Sequence, residues 1–324
     1  MHYLDGKVYH AAYGFLNELL QEVPDYTRID GDLVSRWRTD VQDKAIDRQH
    51  DQQAPNTALP MEHVYWTRNI WEKPFLLEFD SISQAARQLK SIQRNWAACP
   101  TRLYRRVALI EDALPQISNK PKEFPFELPK APMGAFTLLD EHLLLGSAEC
   151  SSPFPNGEVH FAEDREGPPS RAYRKLWEAL ELAGKVPSPG DRCLDAGASP
   201  GGWTWVLANL GAEVISIDRA PLEGSLMSNP HVTYVAHDAF TLAPEDLGPV
   251  DWLFSDVICY PPALLAWVQK WLDSGMAKNF VCTIKMQGAR FDKATTDRFA
   301  AIPGSRVVHL WHNKHELTWI KLSQ

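Results

Sequence analysis

The stretch that decides the fold is CLDAGASPGGWTWVL, residues 193–207. An apolar run reaches an acid, Asp195. A turn with Gly197, Gly201 and Gly202 follows, and a helical run opens at Trp203. A strand, a bend with little side chain and a helix opening on it let bare backbone approach a ligand closely. The pattern continues on both sides. Upstream, SRAYRKLWEALELAG (170–184) puts Tyr173, Leu176, Trp177 and Leu180 on one helical face, with Ser170 as the expected N-cap and Gly184 as the stop. From there on, RCLDAG, EVISID, VTYVA, DWLFSD, NFVCTIK, RVVHLWH and ELTWIKL read as strands, with helices expected at 202–210, 261–273 and 292–301. Such alternation predicts an α/β, doubly wound, mostly parallel sheet. Only HNKH separates the last two strands, too few residues for a crossover, so an antiparallel hairpin is expected at the end.

The 324 residues allow two domains and a sizeable core, with 44% hydrophobic and 23% charged residues. No apolar run approaches the roughly 20 residues that span a bilayer. The opening MHYLDGKVYH lacks the apolar core of a secretory signal. Five scattered cysteines, Cys99, Cys150, Cys193, Cys259 and Cys282, form no C-x-x-C pair. That spacing predicts a reduced, cytoplasmic protein without a zinc site or disulfide frame. Net charge is −8, which does not suggest a nucleic-acid binder, yet residues 81–110 hold Arg87, Lys90, Arg94, Arg102, Arg105 and Arg106 and no acid. That stretch reads either as a phosphate-binding patch or as a solvated helix face. Residues 38–60 are polar and read as a surface excursion; Pro115, Pro121, Pro125, Pro129 and Pro132 suggest an extended connector. GAFTLL and HLLLGSA (134–139 and 142–148) read as a hairpin. The expected domains are 1–150, a linker over 151–168 rich in proline, and 169–324.

Ligands of doubly wound sheets bind beyond the carboxyl ends of the strands. Asp195, Asp218, Asp238 and Asp256 each close one of four successive expected strands. Singly, each is an ordinary loop acid or helix cap; together they suggest a site. Asp218, about 20 residues after the first glycine, suits a ribose diol, and Asp238 suits an adenine amine. The turn reads G-A-S-P-G-G, not G-x-G-x-x-G, and Pro200 removes an N–H from any phosphate cradle. The ligand expected is therefore a nucleoside without a pyrophosphate. S-adenosyl-L-methionine qualifies, because acids tolerate a sulfonium where they would repel phosphates. Trp203 could serve packing as readily as binding. Lys285 ends an apolar strand, Lys175 stands beside an apolar helical stripe, and Glu316 begins the last strand. Lysine is rarely buried without a partner. His309, His312 and His315 cluster without metal-ligand spacing and read as polar turn residues.

Taken in order and spacing, SRAYRK, LDAGASPGGW, FSDVICYP, CTIKMQG and NKHELT resemble the FtsJ-like ribose 2′-O-methyltransferases over about residues 134–324. SSPFPNG, the link ending in PPSR and the HNKHELT ending resemble the RlmM-type branch, which acts on a cytidine of 23S ribosomal RNA. The resemblance implies a Rossmann-like class I methyltransferase sheet behind a smaller α+β N-terminal domain. It implies a catalytic set of Lys175, Asp256, Lys285 and Glu316, and S-adenosyl-L-methionine contacts from Ser199, Pro200, Gly201, Gly202, Trp203, Asp218, Asp238 and Asp256. Ala172 stands where that branch tends to carry a second serine, which removes one minor cofactor contact. AAYGFLNELLQEV followed by DGDLV resembles the opening of a ferredoxin-like and THUMP RNA-capturing region. The expected substrate is RNA, with no membrane and no metal. In an in-line methyl transfer the 2′-hydroxyl approaches opposite the sulfonium. Lys285 would act as a neutral base or as a charged stabiliser of the alkoxide. The other readings are a methyltransferase of the same fold acting on a protein or small molecule, and a non-catalytic RNA-binding protein. The missing fingerprint disfavours a nicotinamide oxidoreductase.

Overall fold

A computed structural model of the chain describes residues 1–38, 63–118, 120–288 and 290–323, and most of the polar 38–60 stretch lies outside them. The described chain divides into two units, Met1–Pro121 with Leu128–His160, and Lys122–Glu127 with Phe161–Gln324.

The first unit holds two sheets. Strands β1 (His2–Tyr3), β2 (Gly6–Ala11), β3 (Arg28–Asp30), β4 (Leu33–Trp37) and β5 (Thr67–Trp71) come first, with helix α1 (Leu16–Glu22) after β2. Then follow β6 (Pro74–Glu78), α2 (Ile82–Ile92), β7 (Trp96–Ala98), α3 (Tyr104–Asp112), β8 (Gly134–Asp140) and β9 (Leu143–Ser147). One sheet runs β3-β4-β2-β5, all antiparallel, which is the order of a split βαβ sheet. The other runs β1-β6-β9-β8-β7, and only β7–β8 is parallel. Ala85, Ala86 and Leu89 of α2 and Val107 and Ile110 of α3 join Phe75, Leu77 and Phe136 in one core. That burial is the stripe periodicity of an amphipathic helix at work. Residues 151–160 stay with this unit: Arg68 pairs with Glu158 at 2.7 Å and Asn156 Nδ2 donates to the Ala98 carbonyl at 2.8 Å.

The second unit is one seven-stranded sheet. Its strands are β10 (Arg192–Ala196), β11 (Glu213–Asp218), β12 (Val232–Ala236), β13 (Val250–Ser255), β14 (Ala277–Lys285), β15 (Ser305–Val308) and β16 (Glu316–Lys321). The order is β12-β11-β10-β13-β14-β16-β15; the first five are parallel and β16 lies antiparallel between β14 and β15. This is the Rossmann-like class I methyltransferase sheet. Both faces are covered, so NFVCTIK reads as a continuous apolar run rather than an alternation. The helices are α4 (Tyr173–Ala183), α5 (Gly202–Asn209), α6 (Gly224–Met227), α7 (Pro244–Leu247), α8 (Pro261–Ser274) and α9 (Lys293–Ala300). Gly184, at φ +67°, ends α4 by donating its N–H to the Leu180 carbonyl.

Three details differ from the sequence reading. Helix α4 starts at Tyr173, not at Ser170, whose hydroxyl accepts from Ala172 N instead. Strand β15 stops at Val308, because the Trp311 and His312 N–H groups donate to the Glu178 carboxylate (2.7 and 3.0 Å) rather than to a neighbouring strand. Within the proline-rich connector, Lys122–Glu127 packs on the second unit. There Phe126 N donates to Glu181 at 2.8 Å and the Phe124 ring stacks on Trp177 at 5.1 Å.

Candidate active site

The parallel strands end in a cleft of about 510 Å³ at the switch point, where β10 sits between β11 and β13. The turn Gly197–Gly202 forms one wall, Asp218, Arg219, Asp238 and Phe240 another, and Asp256–Cys259 with Lys285 the third. Gly197, at φ +78°, cannot carry a side chain, since a Cβ would fall 2.2 Å from Val257 Cγ2. Gly201, at φ +113°, does not line the cleft; a Cβ there would strike Leu226, so its smallness serves packing. The Ser199 hydroxyl donates to the Pro221 carbonyl at 2.9 Å, and the Ser199–Pro200 peptide is cis. Trp203 is buried, donates through Nε1 to Ala172 O at 3.0 Å and meets Phe254 edge-on, so packing occupies most of the ring.

The acids divide by environment. Asp195 lies inside β10 rather than at its tip and is 1% exposed. Its Oδ2 accepts from Thr204 Oγ1 at 2.7 Å, while Oδ1 has no partner among the described residues. Burial pushes this carboxyl up to about 7, against the lowering from Thr204. Asp218 accepts from Ser199 N (3.0 Å) and Ala220 N (2.9 Å), which fixes the carboxylate and leaves lone pairs toward the cleft. Asp238 caps a short 3-10 turn by accepting from Phe240 N at 3.0 Å, and it also pairs with Arg219. The Phe240 hydrogen bond, with Arg219 beside it, holds Asp238 below the usual carboxylate range.

At the far wall, side chains distant in sequence meet. Lys175 Nζ lies 2.9 and 3.0 Å from the two Asp256 oxygens and 2.9 Å from Glu316 Oε1. Lys285 Nζ lies 3.1 Å from Asp256 Oδ1 and donates to the Asp256 carbonyl. The sheet explains this meeting. Lys285 and Glu316 are direct partners across β14 and β16, and Asp256 follows β13, the other neighbour of β14. Burial pulls Lys175 down, but Asp256 and Glu316 together outweigh it and hold the ammonium above its ordinary value. Asp256 and Lys285 face the cleft; Lys175 and Glu316 stand behind them.

Sequence reasoning missed Arg219, Phe240 and Glu178. Nothing in spacing marks an arginine one residue after Asp218 as the partner of Asp238. Glu178 is 2% exposed and also accepts from His312 Nδ1 at 2.7 Å, so it braces the loop that delivers Glu316. His309 bonds the Lys314 carbonyl at 3.1 Å, and no metal-binding group of three such side chains exists among the described residues. Of the basic stretch, Arg102 pairs with Asp30 and the Arg106 guanidinium lies 5.5 Å above Phe79, whereas Arg87, Lys90, Arg94 and Arg105 are exposed.

S-adenosyl-L-methionine fits this cleft. The unpartnered Asp195 Oδ1 suits a buried cationic amine, the acidic walls suit a sulfonium, and a cleft of about 510 Å³ has room for a nucleoside. Comparison with known proteins agrees. Residues 168–286 match the model of the FtsJ-like methyltransferases, a stretch that contains Lys175, Asp256 and Lys285 and stops before Glu316. Curated relatives called ribosomal RNA large subunit methyltransferase M include one from Xylella fastidiosa, 34% identical over 56% of this chain and 55% of its own. Another, from Halorhodospira halophila, is 34% identical over 51% and 50%. The chain spans about half the length of the curated relatives it matches. Solved structures similar to it include a ribosomal RNA methyltransferase from Plasmodium falciparum (TM-score 0.37, 15% identity, 48% of this chain and 97% of that one). The Methanococcus jannaschii fibrillarin pre-rRNA processing protein is another (TM-score 0.35, 17% identity, 47% and 76%). Strand order, cleft and sequence match agree: residues 168–286 carry an FtsJ-like methyltransferase domain on a class I methyltransferase sheet.

Proposed function

We propose that this chain transfers a methyl group from S-adenosyl-L-methionine to a ribose 2′-hydroxyl of large-subunit ribosomal RNA, most specifically of a cytidine in 23S RNA. The observation that carries the reading is the meeting of Lys175, Asp256, Lys285 and Glu316 on one side of a nucleoside-sized cleft. The curated relatives, whose name is that of a large-subunit ribosomal RNA methyltransferase, support the substrate class.

When bound, the cofactor supplies a methyl carbon made electrophilic by a cationic sulfonium. The chain's own residues do the rest. Asp195, Asp218 and Asp238 hold its amine, ribose and adenine. Lys285 reaches the ribose hydroxyl from the cleft wall, and much of the rate comes from positioning. Its hydrogen bond to the Asp256 carbonyl and its ion pair with the Asp256 carboxylate orient the amine. The remaining position takes the hydroxyl proton or steadies the alkoxide. Lys175, clamped between Asp256 and Glu316, keeps both carboxylates oriented. In the first unit, a ferredoxin-like and THUMP-related region would capture RNA with Arg87, Lys90, Arg94 and Arg105. Their replacement by Gln would lower the salt dependence of RNA binding. The site of action is the cytoplasm. Among the described residues, no helix is long and apolar enough to cross a membrane.

The test is mass mapping of ribosomal RNA from a strain lacking the gene. One ribose methyl group of the large-subunit RNA should be missing and should return with the gene. A full set of ribose methyl groups in the deletion strain would overturn the reading.

A further inference from the structure

A second cavity, of about 560 Å³, opens between the segments that leave β13 and β14. One wall is Tyr260–Pro262; the other includes Met286, Gln287 and Arg290. Both walls continue from the candidate machinery. Tyr260 lies four residues after Asp256, and Met286 follows Lys285 directly. The Met286 N–H donates to the carbonyl of His315 at 3.2 Å, so this wall is tied to the residue before Glu316.

The composition of the cavity points to a ligand. Tyr260 is 69% exposed at the start of α8, followed by two prolines that stiffen its backbone. Ile258, on the same loop, is 78% exposed and lines the cofactor cleft. Met286 gives a buried apolar floor, Gln287 offers an amide donor and acceptor, and Arg290 is an exposed cation. The nearby charges are otherwise engaged: Asp292 caps α9 through Thr295 N at 3.0 Å, and Lys293 pairs with Asp297 at 2.9 Å. An open aromatic face, an apolar floor and a guanidinium match single-stranded RNA, which offers a base to stack and a phosphate to bind. Neither Asp256 nor Lys285 lines this cavity, so its occupant lies a step away from the reacting sugar.

We propose that this cavity holds the nucleobase adjoining the target ribose in single-stranded RNA, stacked on Tyr260, with Arg290 on its phosphate. The inference rests on the RNA methyltransferase reading above. The experiment uses the full chain, S-adenosylhomocysteine and 23S ribosomal RNA transcribed in vitro. Tyr260→Ala should lower kcat/KM for the RNA by roughly tenfold, chiefly through KM, with S-adenosylhomocysteine affinity unchanged. Tyr260→Phe should recover most of that loss. Ultraviolet cross-linking of the unaltered chain should join RNA to the 260–262 or 286–291 peptides. A Tyr260→Ala kcat/KM within about twofold of the unaltered chain, or cross-links on other surfaces only, would overturn the proposal while leaving methyl transfer intact. An unaltered chain that neither methylates nor cross-links the transcript would overturn the RNA reading itself, and this inference with it.

Discussion

In the first unit, buried His10 has its Nε2 2.6 Å from Arg68 and its ring nitrogens 3.8–3.9 Å from Cys99 Sγ, and Arg68 turns on to Glu158. In the second, buried Lys175 lies between Asp256 and Glu316, and Lys285 completes the group. Both clusters shift their protonation. Burial, aided by Arg68, pushes His10 down to about 3, and burial lifts Cys99 to about 12. Those shifts leave the imidazole neutral across the physiological range and the thiol protonated, so neither group switches charge near neutral pH and no thiolate forms. The second cluster instead keeps its charges in matched pairs and opens through Asp256 and Lys285 onto a cleft. A perturbed titration therefore marks burial; access to a ligand-sized space marks the site.

This contrast can be broken most directly at Lys285. Lys285→Ala should lower kcat on RNA by about 100- to 10,000-fold while S-adenosylmethionine affinity, read by calorimetry, stays nearly unchanged. Turnover close to that of the unaltered chain would remove the distinction between the clusters. Lys175→Ala takes the cation from Glu316 and leaves Asp256 with Lys285 alone. It should cost about 3–5 kcal/mol of stability in denaturant unfolding, the usual loss when one partner of a buried pair is removed, together with most turnover. Equal stability would mean that Lys175 does not hold the two acids together. Asp195 gives a subtler readout. Its carboxyl, lifted to about 7 by burial, keeps a proton that the unfolded chain gives up near the ordinary value. Its contribution to stability is therefore present at low pH and lost as pH rises through about 7. Cofactor affinity should move the other way, rising over the same range as the carboxylate forms, and Asp195→Asn should flatten both profiles. Last, Cys99→Ser should leave methyl transfer unchanged; a lower kcat would show that the first cluster takes part in the chemistry.

The seven strands of the second unit were legible because apolar runs alternate with helical stripes, and the acids at or near their ends follow from that reading. Asp256 was read from a strand end, and Lys175, Lys285 and Glu316 from their places in the expected elements, but their grouping into one catalytic set came from motif resemblance. Their meeting depends on register, above all the Lys285–Glu316 pairing across β14 and β16. What stayed hidden are side-chain choices made only on closure. Asp195 carries the same letter as Asp218, yet one is buried with a single oxygen on Thr204 and the other accepts from two turn amides. Arg102 looks like its neighbours along the basic stretch, but Asp30, 72 residues earlier, claims it. Ser170 had the identity of a cap and lay too far upstream of the first helical turn to act as one.

The six residues Lys122–Glu127 have a practical corollary. Because they belong to the second unit while the flanking chain belongs to the first, no single cut in the polypeptide separates the two units without splitting one of them. A fragment beginning at Phe161 would strip Phe124 from the face of Trp177 and take the Phe126 amide from Glu181, baring an indole to water at its surface. Anyone dissecting the protein should therefore expect a sticky, weakened piece unless that short strap travels with it.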